Sequence, residues 1–424
     1  MKHTRPLLLL VSLVLLPALC RAADEGYGYP FQGSYEATIM QTPPALKPEL
    51  PKKIRVEELV LDVIPDLKKP DVFFYNEGLR CTFAYQKEKA PLVFVIAGTG
   101  GSHKAPRLMT LMKALYQAGF HVIILPSPTH PNFVISASHT HIPGDLTDDA
   151  ADLYWAMERA WLKVKDDIEV SDFYLTGFSL GGTQAAFVAK LDEERKSFNF
   201  RKVLMINPAV SLYNSIGQIE GLLDKIPGGK DSIVTFFNTT MDKFTKFYHR
   251  GEFVALNDEF LFKAFQEKLL STEEEGGVIG TVFRTGSAGM IFASDVMTNG
   301  GYVVPKNRVL SNTESLTDYF WVAIHLSFFQ YFDEYFLPYF QKKRPGLTRE
   351  ALIEAQSLKS IEGYLKSSRK FGVMTNENDF ILKPGDLDYL RQLFGERAKI
   401  YPIGGHGGNF EYKDNLAYAV GFFK

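Results

Sequence analysis

Residues 170–182 read VSDFYLTGFSLGG, an apolar run that ends in Gly177-Phe178-Ser179-Leu180-Gly181 and passes directly into small, helix-compatible residues. A strand that becomes a helix within about one residue has little room. Glycines at the flanks remove side chains that would collide across the turn, and the serine between them is held in a strained conformation with its oxygen above the sheet edge. The five letters alone are a weak signal. The apolar strand before them, the helix-compatible segment after them and two suitably placed partners downstream make the pattern a prediction of a nucleophile elbow at Ser179.

The surrounding periodicity extends this into an architecture. RVEELVLDVI (55–64) and GLRCTFAYQ (78–86) alternate as half-buried strands do, with Pro-Asp and Asn-Glu-Gly turn material between them, and predict the antiparallel opening of a mixed sheet. PLVFVIAG (91–98) is an uninterrupted apolar strand, APRLMTLMKALYQAG (105–119) has helical spacing and ends on glycine, and FHVIILPSP (120–128) is strand again. LTDDAADLYWAMERAWLKVK (146–165) has early acids and late bases that complement a helix dipole. After the elbow strand come a helix, GTQAAFVAKLDEE (182–194), and a strand, RKVLMINPAV (201–210). Such alternation predicts an α/β fold: a mostly parallel sheet flanked by helices.

The alternation lapses after residue 210 and resumes at KFGVMTNEND (370–379), followed by the helix DLDYLRQLF (386–394) and a last strand, AKIYPIGG (398–405). Roughly 160 intervening residues far exceed an ordinary connection. They include EFLFKAFQEKLL (259–270) and TDYFWVAIHLSFFQYFDEYFLPYF (317–340), whose aromatic residues fall on nearly every helical face and call for burial. The expected organisation is a leader (1–22), a first part of the core (23–210), a large helical cap over the sheet's C-terminal edge (211–368) and a second part of the core (369–424). A cap that packs only on itself and never meets a substrate is the plainer alternative.

The N-terminal segment MKHTRPLLLLVSLVLLPALCRAADEG places Lys2 and Arg5 before an apolar stretch, 7–19, that is too short to span a bilayer and is followed by small residues. It reads as a secretory signal cleaved after Ala22 or Ala23, with the periplasm as the expected destination and a secreted or envelope-associated location as the alternative. Leu19 precedes Cys20 where lipidation would want a small residue. Loss of the leader leaves a charge of about −5, which gives nucleic acid no electrostatic footing. It also leaves Cys81, within LRCTFAY, as the only cysteine, so no internal disulfide is expected; Cys81 reads as a core residue. No later apolar run resembles a membrane span.

A serine hydroxyl is a poor nucleophile near neutral pH and needs a base within hydrogen-bond reach, itself oriented by an acid. Asp379 lies just beyond the strand FGVMTNEN, and His406 just beyond the last strand in YPIGGHGGN, where flanking glycines let the loop bend. Glu377 is the nearest substitute for the acid; Asp386 and Asp388 are accounted for by a helix start. The developing oxyanion needs two donors. The N–H of Leu180 is one. The turn Ala97-Gly98-Thr99-Gly100-Gly101-Ser102-His103 supplies the other, with Thr99 as first choice and Gly100 as second. That turn lacks G-K-[ST] and a complete G-x-G-x-x-G, so it does not read as a phosphate cradle.

On these motifs the chain resembles the α/β-hydrolase superfamily over about residues 50–210 and 369–424. The resemblance implies Ser179, Asp379 and His406 as nucleophile, acid and base, Gly177 and Gly181 as elbow glycines, and Leu180 with Thr99 as the oxyanion site, with a lid where the helical insertion falls. The GTGG turn departs from the more familiar His-Gly start, which leaves the second donor open.

Other histidines carry competing readings. His130, His139, His141 and Asp145 fall in one loop-like segment; His139 and His141 share a face if extended and would then suit zinc, but the spacing matches no closed metal motif and a role lining or packing the wall above the elbow fits better. His103 either touches substrate or bonds within its turn. His325, in the aromatic stretch, reads as a satisfied core histidine.

The reaction expected is cleavage of a carboxylic ester through an acyl-enzyme, on a small-molecule or lipid-like acyl substrate, with no metal or organic cofactor required. The same triad would serve a thioesterase or a serine peptidase with the cap as a size filter. A reading from another class is an envelope binding module that keeps the fold without turnover. Oligomeric state is left open.

Overall fold

The computed structural model of the protein describes residues 26–250 and 258–424. The expected secretory leader at 1–22 and the lipidation reading at Cys20 lie outside the described residues.

Eight strands form one sheet: β1 (Val56–Leu61), β2 (Leu79–Ala84), β3 (Ala90–Ile96), β4 (His121–Leu125), β5 (Val170–Phe178), β6 (Lys202–Ile206), β7 (Phe371–Asn376) and β8 (Ala398–Tyr401). Their spatial order is β1-β2-β4-β3-β5-β6-β7-β8. The pairs β1–β2 and β2–β4 are antiparallel, and every later pair is parallel. The two alternating segments near the start thus form the antiparallel edge, and the continuous apolar runs form the doubly covered centre. This is an α/β-hydrolase-like fold.

Helices cover both faces. The first in the chain, α1 (Ser34–Met40), is short; α2 (Pro106–Gln117) and the C-terminal helix Lys413–Phe423 bury Leu111, Leu115, Leu416 and Phe423 against one face. Beyond α3 (Pro131–Ser136), α4 (Leu146–Val164) and α5 (Leu180–Arg195) cover the other face with the helix Asp386–Phe394. Asp145 caps α4 by accepting from the N–H groups of Thr147 and Asp148, both at 3.1 Å, an arrangement that contributes about 1 kcal/mol. In β3, Leu92 through Ile96 are wholly buried. At about 1.5–3 kcal/mol per large apolar side chain, this one strand outweighs the roughly 1–3 kcal/mol of backbone strain held at an elbow.

Between β6 and β7 the chain is helical: α6 (Leu212–Glu220), α7 (Ile233–Arg250), α8 (Asp258–Gln266), α9 (Thr272–Thr298) and α10 (Thr317–His325), then a broken helix over residues 328–343 and two short ones. The long α9 packs against α1, α3, α6 and α10. Arg284 on α9 and Glu220 on α6 form a buried bidentate pair, with Nε donating to Oε1 at 2.9 Å and Nη2 to Oε2, which ties two cap helices together. Cys81 is buried in β2, where burial raises its thiol pKa, so it sits in the core as its flanking strand implies.

Three expectations change here. The aromatic stretch is not one helix: Ser327 and Gln330 form a capping box that starts a new helix, and a π-helical turn at Tyr331–Phe336 precedes Pro338. Proline cannot donate and crowds the carbonyl four residues back, so the ladder widens before it. Phe320, Trp321 and Val322 stay exposed on α10. His325 is exposed at the end of α10, with Nδ1 2.7 Å from the Trp321 carbonyl, and is not a core residue.

Candidate active site

Strand β5 delivers Ser179 to the N-cap position just before α5, with φ 56° and ψ −124°. The tightness that forces this is measurable. A Cβ on Gly177 would lie 2.2 Å from the Gly181 carbonyl oxygen, and one on Gly181 would lie 2.3 Å from that of Ile96. Neither approach is tolerable, so only glycine fits on both sides of the turn. The elbow is tied into the sheet by the Ser179 N–H, which donates to the Ile206 carbonyl at 2.8 Å.

The structure brings Ser179, His406 and Asp379 together. His406 Nε2 is 2.9 Å from Ser179 Oγ, and His406 Nδ1 is 3.1 Å from each carboxylate oxygen of Asp379. An ionised carboxylate only accepts, so Nδ1 carries the proton and Nε2 is left to accept from the serine hydroxyl. The Asp379 side chain is wholly buried while that of His406 is 12% exposed, so the chain of bonds runs from the interior to the solvent-facing cleft. Glu377 turns away and pairs with Arg391 at 2.7 Å. Asp386 is a first-turn acid whose Oδ2 accepts from the Lys383 N–H.

Several residues that hold this geometry were not legible beforehand. Asn207, at the end of β6 with φ 46°, donates from Nδ2 to Asp379 Oδ2 at 2.8 Å. An asparagine straight after a strand, able to take a left-handed conformation, is the signal that marks it. Thr38 on α1 accepts from the His406 N–H at 2.9 Å, and Ser34 donates to the Asn378 carbonyl at 2.6 Å, so one short helix braces both loops. A Cβ on Gly408 would lie 1.9 Å from the Ala37 carbonyl oxygen, which explains the glycine-rich histidine loop as a close fit to α1.

The turn after β3 separates the two donor candidates. The Gly100 N–H donates to Thr129 Oγ1 at 2.8 Å and is occupied. Among the described residues, the N–H groups of Thr99 and Leu180 have no protein acceptor. Two adjoining spaces meet these residues: Thr99 lines both and Leu180 lines one. An open cleft contains Ser179 and His406 together with Ile279, Val282 and Phe283 of α9. A narrower apolar chamber, with a cavity volume of about 50 Å³, is lined by Leu180, Leu212, Tyr213, Ile216, Phe328, Tyr331, Phe332 and Phe336, among others. Thr99, Thr129, Phe283, Ser287 and Met290 line both. The cap therefore walls the space above Ser179.

No protein-family model and no curated protein matches the chain. Among solved structures it is similar to a thioesterase domain from the curacin biosynthetic pathway, at 12% identity over 87% of this chain and 100% of that one, with a TM-score of 0.39. A hyperthermophilic esterase from Pyrobaculum calidifontis is similar at 16% identity over 91% and 86% of the two chains, with a TM-score of 0.38. So is EstE1, a thermostable carboxylesterase cloned from a metagenomic library, at 14% identity over 91% and 90%, with a TM-score of 0.41.

Among the described residues, no histidine other than His406 lines the cleft. His103 is buried with Nδ1 2.7 Å from Thr82 Oγ1, and burial lowers its pKa to about 4, so it is neutral and bonded within its own surroundings. His130 caps α3, His139 pairs with Asp152 beside Trp155, and His141 Nδ1 lies 2.7 Å from the Val134 carbonyl. Their segment reaches the chamber through Thr129, Pro143 and Gly144. Among the described residues no group of three or more His, Cys, Asp or Glu side chains is placed to hold a metal ion.

Proposed function

We propose that the protein is a serine hydrolase that cleaves carboxylic esters whose acyl part is apolar. The observation that carries this reading is the unbroken chain Asp379–His406–Ser179, which ends where the cleft meets the chamber. Ser179 Oγ attacks the carbonyl carbon as His406 Nε2 takes its proton; the Leu180 and Thr99 N–H groups hold the oxyanion; His406 then gives the proton to the leaving alkoxide. Water attacks the acyl-enzyme by the reverse route and releases the acid. The apolar wall of the chamber is suited to an uncharged acyl chain or aromatic acyl group. No helix among the described residues is long and apolar enough to cross a membrane. We also propose export with loss of residues 1–22, which the N-terminal sequence of the protein recovered from its native compartment would test.

The deciding experiment is labelling of the purified protein with a fluorophosphonate probe, followed by a panel of esters, thioesters and blocked peptides. An adduct on Ser179 that is lost in Ser179→Ala and strongly reduced in His406→Ala is expected, with esters turned over best. Folded protein that takes no label would favour a binding module, and faster cleavage of peptides would favour a peptidase.

A further inference from the structure

Apart from the imidazole of His406, the open cleft has one ionisable side chain on its wall, Arg107, and no carboxylate is bonded to it. Arg107, at the start of α2, lines that cleft together with Ser179, Phe178 and His406. Its Nε donates to Gln41 Oε1 at 3.3 Å, its Nη2 to the Thr38 carbonyl at 3.0 Å, and its Cζ stands 5.5 Å from the centre of the Phe178 ring. Both acceptors are neutral. Nη1 has no protein acceptor among the described residues, and the side chain as a whole keeps some exposure to the cleft although its guanidinium lies deep among protein atoms. Glu411 is the carboxylate whose field reaches it, but Glu411 is engaged by Lys47 at 2.8 Å and by Thr110 Oγ1. Enclosure without a bonded carboxylate pulls the guanidinium pKa down, the direction expected when a charge loses solvent.

Holding a cation here without a bonded carboxylate is unfavourable, and bracing α1 against the core would not require one. The position of the charge follows from the chemistry proposed above. The leaving oxygen must meet His406 Nε2, and His406 lines the cleft but not the chamber, so the leaving part of the substrate projects along the cleft. Arg107 is two ring contacts from the imidazole, through Phe178, whose ring centre is 5.3 Å from that of His406.

We propose that Arg107 is a specificity residue for the leaving group, and that the substrate is an ester with an apolar acyl part and an anionic group, carboxylate or phosphate, on its alcohol part. A planar guanidinium with a free Nη1 presents a charge-assisted donor suited to either oxyanion. The inference rests on the assignment of Ser179 and His406 as nucleophile and proton donor, and the test separates the two.

The test uses the full mature protein and three esters that share one apolar acyl group: one of a neutral polyol, one of a hydroxy acid and one of a phosphorylated polyol. Wild type is expected to favour at least one anionic ester by tenfold or more in kcat/KM, with the ratio falling at high salt. The carboxylate and phosphate arms tell which anion is preferred. Arg107→Gln should collapse the ratio towards one by raising KM for the anionic ester, and Arg107→Lys should restore part of it. Binding of the same esters to Ser179→Ala by calorimetry should show the same preference without turnover. An unchanged ratio in Arg107→Gln, or a wild type that favours the neutral ester, would overturn the proposal and leave Arg107 as a brace. Should Arg107→Gln fail to fold, the wild-type ratio, its salt dependence and Arg107→Lys decide. Absence of any ester hydrolysis, with Ser179 unlabelled, would instead sink the hydrolase reading.

Discussion

The backbone N–H of His406 donates to Thr38 Oγ1 at 2.9 Å, across 368 residues of chain. The Thr38 hydroxyl itself donates to the Ser34 carbonyl at 2.7 Å, so its oxygen is oriented to accept from the histidine loop. Replacing it with valine keeps the shape and leaves the loop N–H without its acceptor, a loss worth about 1–3 kcal/mol. Thr38→Val is expected to lower kcat on the order of tenfold with little change in KM, and Thr38→Ser to stay near wild type. Steady-state kinetics on a single ester, with a melting curve for each variant, checks this.

Asn207 gives the second test of how the triad is held. Its Nδ2 donates to the oxygen of Asp379 that also faces His406, and its φ of 46° is one that glycine adopts without strain. Asn207→Gly therefore removes the amide while sparing the backbone. The expected outcome is a fall in kcat of about tenfold with a small change in melting temperature, since a carboxylate short of a donor orients the imidazole less firmly. Equal activity in the variant would show that the buried surroundings of Asp379 suffice alone.

What was legible beforehand, and what was not, follows from the range of the forces involved. The elbow, the strand alternation and the chain order of Ser179, Asp379 and His406 are written in local pattern, because strand period, helix period and a turn that admits only glycine are set by neighbours in sequence. The helix α1 is seven residues long with no side-chain cap and one buried residue, Ala37, so nothing in SYEATIM announces it. Its importance arises from the fit of the histidine loop onto it. The aromatic stretch misled for a related reason: its aromatic density suggests one buried helix, but Ser327 and Pro338 break it, and Phe320, Trp321 and Val322 remain outside. Arg107 reads as an ordinary basic residue near a helix start until the fold places it beside Phe178.

The chamber makes a prediction about acyl length. Ile216 on α6 is buried and lines the chamber together with its aromatic side chains. Ile216→Phe adds volume that the wall can absorb only by intruding into the chamber, at a stability cost of about 1–3 kcal/mol. The ratio of kcat/KM for a long acyl chain to that for a short one should fall by about tenfold or more, since a few lost methylene contacts are worth 1–3 kcal/mol. A p-nitrophenyl ester series from acetyl to dodecanoyl measures it. An unaltered chain-length profile would mean that the acyl part lies elsewhere.

Stability should depend on pH through the contact between the cap and α1. Glu275 on α9 has its pKa pushed up from 4.5 to about 7, first by burial and then by the like charge of Glu36 on α1. The folded state thus holds this proton more tightly than the unfolded chain does, so between about pH 4.5 and 7 it binds the excess proton. Stability from this group is full below 4.5, falls as pH rises through that window, and is lost above 7. Glu275→Gln fixes the protonated shape. The variant should match wild type near pH 4.5 and melt higher at pH 8, by on the order of 1–2 °C once partial exposure and solvent screening are allowed for. Calorimetric melting of both proteins from pH 4.5 to 8 checks the sign: a variant that melts lower at pH 8 would mean that the ionised carboxylate is held by a favourable partner and that Glu36 does not oppose it.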